Sequence, residues 1–276
     1  QNLYVGADLF RLFEPAPCGP AQNVFGIFET VKATNFPERA EAIANLVQRN
    51  KPDVIGLQEV SLIRSQTPAD FLLVPNPDGE TFTYVPNAEF VEFDYLDLLM
   101  NALAARGLDY IVVDGATAND ADVEVPMVSF DEDCNPTSLP VDLRLTDRDV
   151  ILVRAGLATA NAANANFSVN LTVGVPLEPG VTLAYEFTRG YGAVDVTKGK
   201  YTHRVVNTHL EVGDAADPAS LERLRAYQAR KQAAIAKLRD HLGGPLKGET
   251  YDKVVAFLDV DTPTEYEALR ARAGNG

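Results

Sequence analysis

Lys51-Pro52-Asp53-Val54-Ile55-Gly56-Leu57-Gln58-Glu59-Val60 is the stretch that decides the fold class of this chain. Pro52 cannot continue a helix, and the short apolar run Val54 to Leu57 is what a strand covered on both faces shows. Upstream, Asn35 stands as an N-cap, Pro37 and Glu38 fall in a first turn, and Ala40, Ile43, Leu46 and Val47 share one face of a helix ending near Asn50. Asn2 to Val5 reads as a strand before that helix. The opening is therefore a strand, helix, strand unit with Gln58 and Glu59 delivered at the end of the second strand.

Downstream the same grammar recurs. Tyr95 to Arg106 carries Leu96, Leu99 and Leu103 at helical spacing, Gly107 caps it, and Asp109 to Val113 reads as a strand. Gln66 to Asn87 is rich in Pro and Asn, and Asp114 to Pro140 reads as an acidic, turn-rich connection. From Asp149 strands follow one another without helices: Val150 to Val153, Asn170 to Val175, Val181 to Phe187, Gly192 to Thr197 and Thr202 to Leu210. Glu178-Pro179-Gly180 and Lys198-Gly199-Lys200 read as hairpin turns. A long helix is expected from about Pro218 to Leu242, with Leu221, Leu224, Tyr227, Ile235 and Leu238 apolar and Gly243-Gly244 ending it. Lys253 to Leu258 is a further buried-type strand. With no internal linker, low-complexity tract or repeat, residues 1–276 read as one α/β domain with mixed sheets.

The composition fits a globular protein of 276 residues, 46% hydrophobic and 23% charged. Lys and Arg number 24 against 39 Asp and Glu, a formal charge of -15, so a broad basic nucleic-acid face is not expected. Nuclease chemistry stays open, since bound divalent cations and a local Arg cluster can offset that charge. No stretch reaches the roughly 18 apolar residues of a membrane span, so no transmembrane segment is expected. The chain starts abruptly at Gln1 inside an expected strand, which fits a removed signal peptide and favours a secreted or periplasmic location. Cys18 and Cys134 cannot make a zinc site by themselves; a disulfide in an oxidising compartment and two free thiols are both open.

Candidate chemistry lies at strand ends. Glu59 follows Val54 to Leu57, His209 follows Val205-Val206, and Asp259 with Asp261 follows Val254 to Leu258. Any one alone reads more readily as a capping or solvated residue. Three such positions after three core strands, with the carboxamide of Asn2, make an oxygen-rich set suited to Mg²⁺ or Mn²⁺ rather than zinc.

These residues resemble the endonuclease/exonuclease/phosphatase superfamily of Mg²⁺-dependent phosphodiesterases and phosphatases. The resemblance is carried by Asn2-Leu3-Tyr4, by Arg39, Ile43 and the block Lys51 to Val60, by Asp149 to Arg154, and by Val206-Asn207-Thr208-His209-Leu210. It implies a four-layer sandwich of two mixed β-sheets flanked by helices. It also implies Glu59 as principal metal ligand with Asn2 helping, His209 bonded to the phosphate, and Asp259 orienting the attacking water.

Three departures from the family pattern stand out. Leu258 and Asp261 replace the Gly and Asn of the family's Gly-Asp-Phe-Asn motif, adding a side chain beside a tight turn and a negative charge near the substrate. The family's closing strand ends in Ser-Asp-His, whereas no His follows His241, so the domain is expected to lack that strand. His203 lies mid-strand and His241 at a helix end, and neither substitutes easily.

Two functions are therefore expected. One is a metal-dependent phosphoester hydrolase acting on a nucleic acid or a phospholipid headgroup. The other is a catalytically silent member or fragment serving as a binding or structural module. The acidic stretch from Gly115 to Asp142 weighs against tight duplex binding. Phe71, Leu72, Leu73, Phe82 and Tyr84, in an expected loop from Ile63 to Phe90, form either an apolar lip or ordinary core. The sequence does not fix the oligomeric state.

Overall fold

The structure, a computed structural model, describes residues 1–210 apart from 71, 72, 76, 78–80, 169, 170, 179 and 180. After a 3₁₀ turn at Leu9–Phe13 come helices α1 (Pro20–Ala33) and α2 (Phe36–Asn50) and strands β1 (Val54–Leu57), β2 (Leu62–Gln66), β3 (Leu73–Pro75), β4 (Thr81–Tyr84) and β5 (Phe90–Asp94). Helix α3 (Tyr95–Ala104) is followed by β6 (Tyr110–Val112), β7 (Ala118–Met127), β8 (Val141–Arg154), β9 (Ala158–Asn166), β10 (Leu171–Glu178), β11 (Val181–Phe187), β12 (Gly190–Lys198) and β13 (Tyr201–Thr208).

Strand β8 is the spine. Along its 14 residues it pairs with β1, β2, β6 and β7, and β5 extends the sheet from β2. Val150 to Val153 are fully buried because each face of the strand has its own cover. Val150 and Leu152 pack with Leu57, Ala40, Val47, Leu99 and Leu103, beneath α2 and α3. Ile151 and Val153 point the other way, onto Val194 and Val196 of β12. Helix α1 covers Ile63 and Leu143 with Val24, Ile27, Phe28 and Val31. Each such buried aliphatic side chain contributes about 1.5–3 kcal/mol, so this two-sided core dominates the stability.

Among the described residues the β12 sheet is three-stranded, ordered β13-β12-β9, and a further sheet runs β10-β11-β4-β3. Among the described residues, pairing is antiparallel except for β4 with β11 and the bridge Asn2 to Gln58. Helices, sheet and facing sheet give the expected α/β sandwich. The long helix near Pro218 to Leu242, the strand Lys253 to Leu258 and any closing strand lie outside the described residues.

Several stretches depart from expectation. Asn2 to Val5 is not a ladder strand, because φ of 56° at Tyr4 and 109° at Gly6 turns the chain after one bridge. Asp114 to Pro140 is not simply a connection. It contains β7, whose carboxylates are accommodated by partners: Arg144 donates to Asp122 through Nε and Nη2 at 2.7 and 2.6 Å, and Glu124 accepts the Asn87 and Ala88 N–H groups at 2.8 Å. Strand β8 likewise starts at Val141 rather than Val150. Strands β2, β3 and β4 occupy much of the expected loop from Ile63 to Phe90, and helix α1 and strand β9 arise where no element was expected. Cys18 and Cys134 are joined in a disulfide across 116 residues, tying the segment before α1 to the loop after β7.

One carboxamide joins the two facing sheets. Asn207, near the end of β13, donates to Leu57 O at 2.8 Å and Val150 O at 3.2 Å, and accepts from Gln58 Nε2. Its approach requires Gly56, where an added Cβ would lie 2.7 Å from Asn207 Oδ1. Asn207→Ala removes these three bonds between the facing sheets, and a loss of roughly 1–3 kcal/mol is expected in urea unfolding. Gly56→Ala should destabilise through the same contact.

Candidate functional site

The site begins where the opening segment meets the end of β1. Leu3 N donates to Gln58 O at 2.8 Å, and Val5 N to Glu59 Oε2 at 2.7 Å. Asn2 Nδ2 donates to Glu59 Oε1 at 2.8 Å, while Asn2 Oδ1 accepts Tyr4 N at 2.6 Å. From behind, buried Arg39 donates through Nη1 to Leu3 O at 2.5 Å and Tyr4 O at 2.9 Å, and Tyr95 Oη donates to Val5 O at 2.6 Å. Glu59 itself has φ 53°. Two non-glycine residues in the left-handed region, Tyr4 and Glu59, face each other here, as is common where surroundings over-determine a functional geometry. The Tyr4 hydroxyl is buried without a hydrogen-bond partner, and burial with the Glu59 charge pushes its pKa up.

Facing Glu59 is His209, directly after β13. Its Nε2 lies 3.9 Å from Glu59 Oε1 and its Nδ1 lies 3.3 Å from Asp120 Oδ2. Arg189 Nη1 also reaches Asp120 Oδ2, at 3.2 Å, and lies 3.3 Å from His209 Nδ1. Asp120 arrives through a β-bulge. Ala118 pairs with Asp149 and Ala121 with Asp147, so β7 has one residue too many at this point. A regular strand would place Asp120 on the face of Asp122 and Glu124; the bulge turns it onto the face of Asp147 and Asp149 instead.

The cluster has more negative charge than positive. Asp120 and Asp149 are 0% exposed, and Asp120 Oδ1 and both Asp149 oxygens lack a hydrogen-bond partner. Burial, then the Asp120 charge, pushes the Asp149 carboxyl up to about 7, against the smaller opposing pull of His209 and Arg189. Half-buried Asp147 is pushed up as well, by burial and then by Glu59. For His209, burial opposes protonation, yet the Asp120 hydrogen bond and the Glu59 and Asp147 charges outweigh both burial and Arg189, so its pKa lies above the usual value.

Donor atoms of Asp120, Asp149 and His209 all lie within 4.8 Å of one another, close enough to hold one metal ion. Orphaned, buried carboxylate oxygens fit a hard divalent cation. Glu59 offers a further carboxylate beside them. Of the expected site residues, Asn2, Glu59 and His209 come together, whereas Asp259 and Asp261 lie outside the described residues. Asp120, Asp147 and Arg189 were not foreseen as site residues, and Asp149 stood only within the family block. A usable signal for two of them was the Asp147-Arg148-Asp149 alternation leading into the apolar run Val150 to Val153.

Compared with protein-family models, with curated proteins and with solved structures, the chain matches none. No helix among the described residues is long and apolar enough to cross a membrane.

Proposed function

We propose that the chain is a Mg²⁺- or Mn²⁺-dependent phosphoester hydrolase, acting on a phosphodiester in a nucleic acid or a phospholipid headgroup. The observation that carries this reading is the meeting of Glu59, Asp120, Asp147 and Asp149 around one imidazole and one guanidinium. Carboxylates alone would repel a phosphate; with a cation, Arg189 and His209 among them, the pocket can bind one.

Glu59, aimed by Asn2 and the Val5 N–H, would hold the metal. A metal held there would polarise the phosphoryl group and steady the leaving oxygen. Arg189 and His209 supply hydrogen bonds to phosphoryl oxygens where negative charge develops, and Asp120 fixes both in place. Asp259 is assigned to the attacking water from the sequence resemblance alone. The carboxylates of β7 do not line an acidic loop, so Asp122 and Glu124 do not weigh against a nucleic-acid substrate. The disulfide suits an oxidising compartment, secreted or periplasmic.

The test is hydrolysis of bis(p-nitrophenyl) phosphate. Turnover should require Mg²⁺ or Mn²⁺, cease in EDTA, and fall roughly 10²–10³-fold in Arg189→Ala and His209→Ala proteins that keep their melting temperature. Absence of turnover with either ion would leave the chain as a silent binding module.

A further inference from the structure

We propose that Asp120, Asp149 and His209 form a second divalent-cation site, separate from Glu59 and selective for Mn²⁺ over Mg²⁺. The proposal rests on the reading of Glu59 as the holder of the first ion. Native proteins leave few buried polar atoms unpaired, yet three carboxylate oxygens are orphaned here on two adjacent strands: Asp149 Oδ1 and Oδ2, and Asp120 Oδ1. Both residues are fully buried, so bulk water does not serve them. Their donor atoms and that of His209 lie within 4.8 Å of one another, and a small side-chain adjustment lets one ion touch all three.

An ion at Glu59 cannot do this work. Glu59 lies on the Nε2 side of the His209 ring, at 3.9 Å, and Asp120 on the Nδ1 side, at 3.3 Å, so the imidazole stands between the two carboxylates. Arg189 occupies Asp120 Oδ2 and leaves Oδ1 open. Two carboxylates with an imidazole nitrogen suit Mn²⁺ better than Mg²⁺, which prefers oxygen and water. Asp120, Asp149 and His209 Nδ1 would hold the second ion, and the Nδ1 proton would pass to solvent as it binds. His209 then keeps Nε2–H, directed toward the Glu59 side where the phosphate binds.

Counting bound Mn²⁺ by electron paramagnetic resonance during equilibrium titration tests this. The wild type should bind two ions, Glu59→Gln one and Asp149→Asn one, with at least tenfold more Mg²⁺ needed to displace the Asp149-dependent ion than the other. At pH 8, removing this unpaired buried charge should also raise the melting temperature of cation-free Asp149→Asn above that of the wild type. Two ions retained in Asp149→Asn, or a lowered cation-free melting temperature, would overturn the second site. A single wild-type ion lost only in Glu59→Gln would overturn it too and leave the Glu59 reading intact. An ion lost in Asp149→Asn but unaffected by Glu59→Gln would instead sink the Glu59 reading and keep this site.

Discussion

Cys18→Ser is expected to lower stability by about 5 kcal/mol, the loop-closure entropy released when a cross-link over 116 residues is opened. The bond closes nearly half of the chain, from before α1 to beyond β7, and so encloses β1, β2, β5, α3 and β6. At roughly 2–4 °C per kcal/mol for a unit of this size, the melting temperature should fall by about 10–20 °C. Calorimetry of the variant, beside the wild type with and without reductant, checks this. An unchanged melting temperature in all three would mean that the packing of α1 on β2 and β8 holds this region without the cross-link.

The second large effect concerns pH. In the cation-free protein the Asp149 carboxyl has a pKa of about 7, against an ordinary value of 3.8. An acid with a raised folded pKa binds more protons folded than unfolded, so stability falls as pH rises from about 4 to about 7. Three units correspond to about 4 kcal/mol. His209 acts in the same direction, since a base with a raised folded pKa adds stability at low pH and loses it as pH rises. Asp149→Asn removes the carboxyl part. In urea unfolding with EDTA, the variant and wild type should be nearly equal near pH 4 and separate by about 4 kcal/mol near pH 8, with the variant more stable. A difference that does not grow with pH would show that Asp149 stays ionised throughout.

The elements legible in the sequence were those with one clear period. Phe36 to Asn50, Val54 to Leu57 and Tyr95 to Ala104 carry apolar residues at helical or strand spacing between Pro, Gly and Asn signals, and they form where expected. Strand β7 escaped because its acids and small residues mimic a loop, and only the partners they meet, Arg144 and the Asn87–Ala88 backbone, make a strand affordable. The site divides the same way. Glu59 and His209 close apolar strands and could be read directly. Asp120 could not, because its direction depends on a one-residue bulge that leaves no mark on the alternation of Asp120, Asp122 and Glu124. Arg189 gave no sign of its role, since its place beside Asp120 depends on how β12 faces β7.

The Asn207 carboxamide also governs how the sandwich can move. Two apolar layers can shear past each other, exchanging one set of loose contacts for another. Asn207 instead makes directional bonds to Leu57 in one strand and Val150 in the next, and a slide of a single residue breaks both. Glu59 lies two residues beyond Leu57, Asp149 one residue before Val150, and His209 two residues beyond Asn207. The same lock is thus the common origin from which all three arms of the pocket are measured, and any opening of the pocket must come from rim segments while the two sheets stay in register.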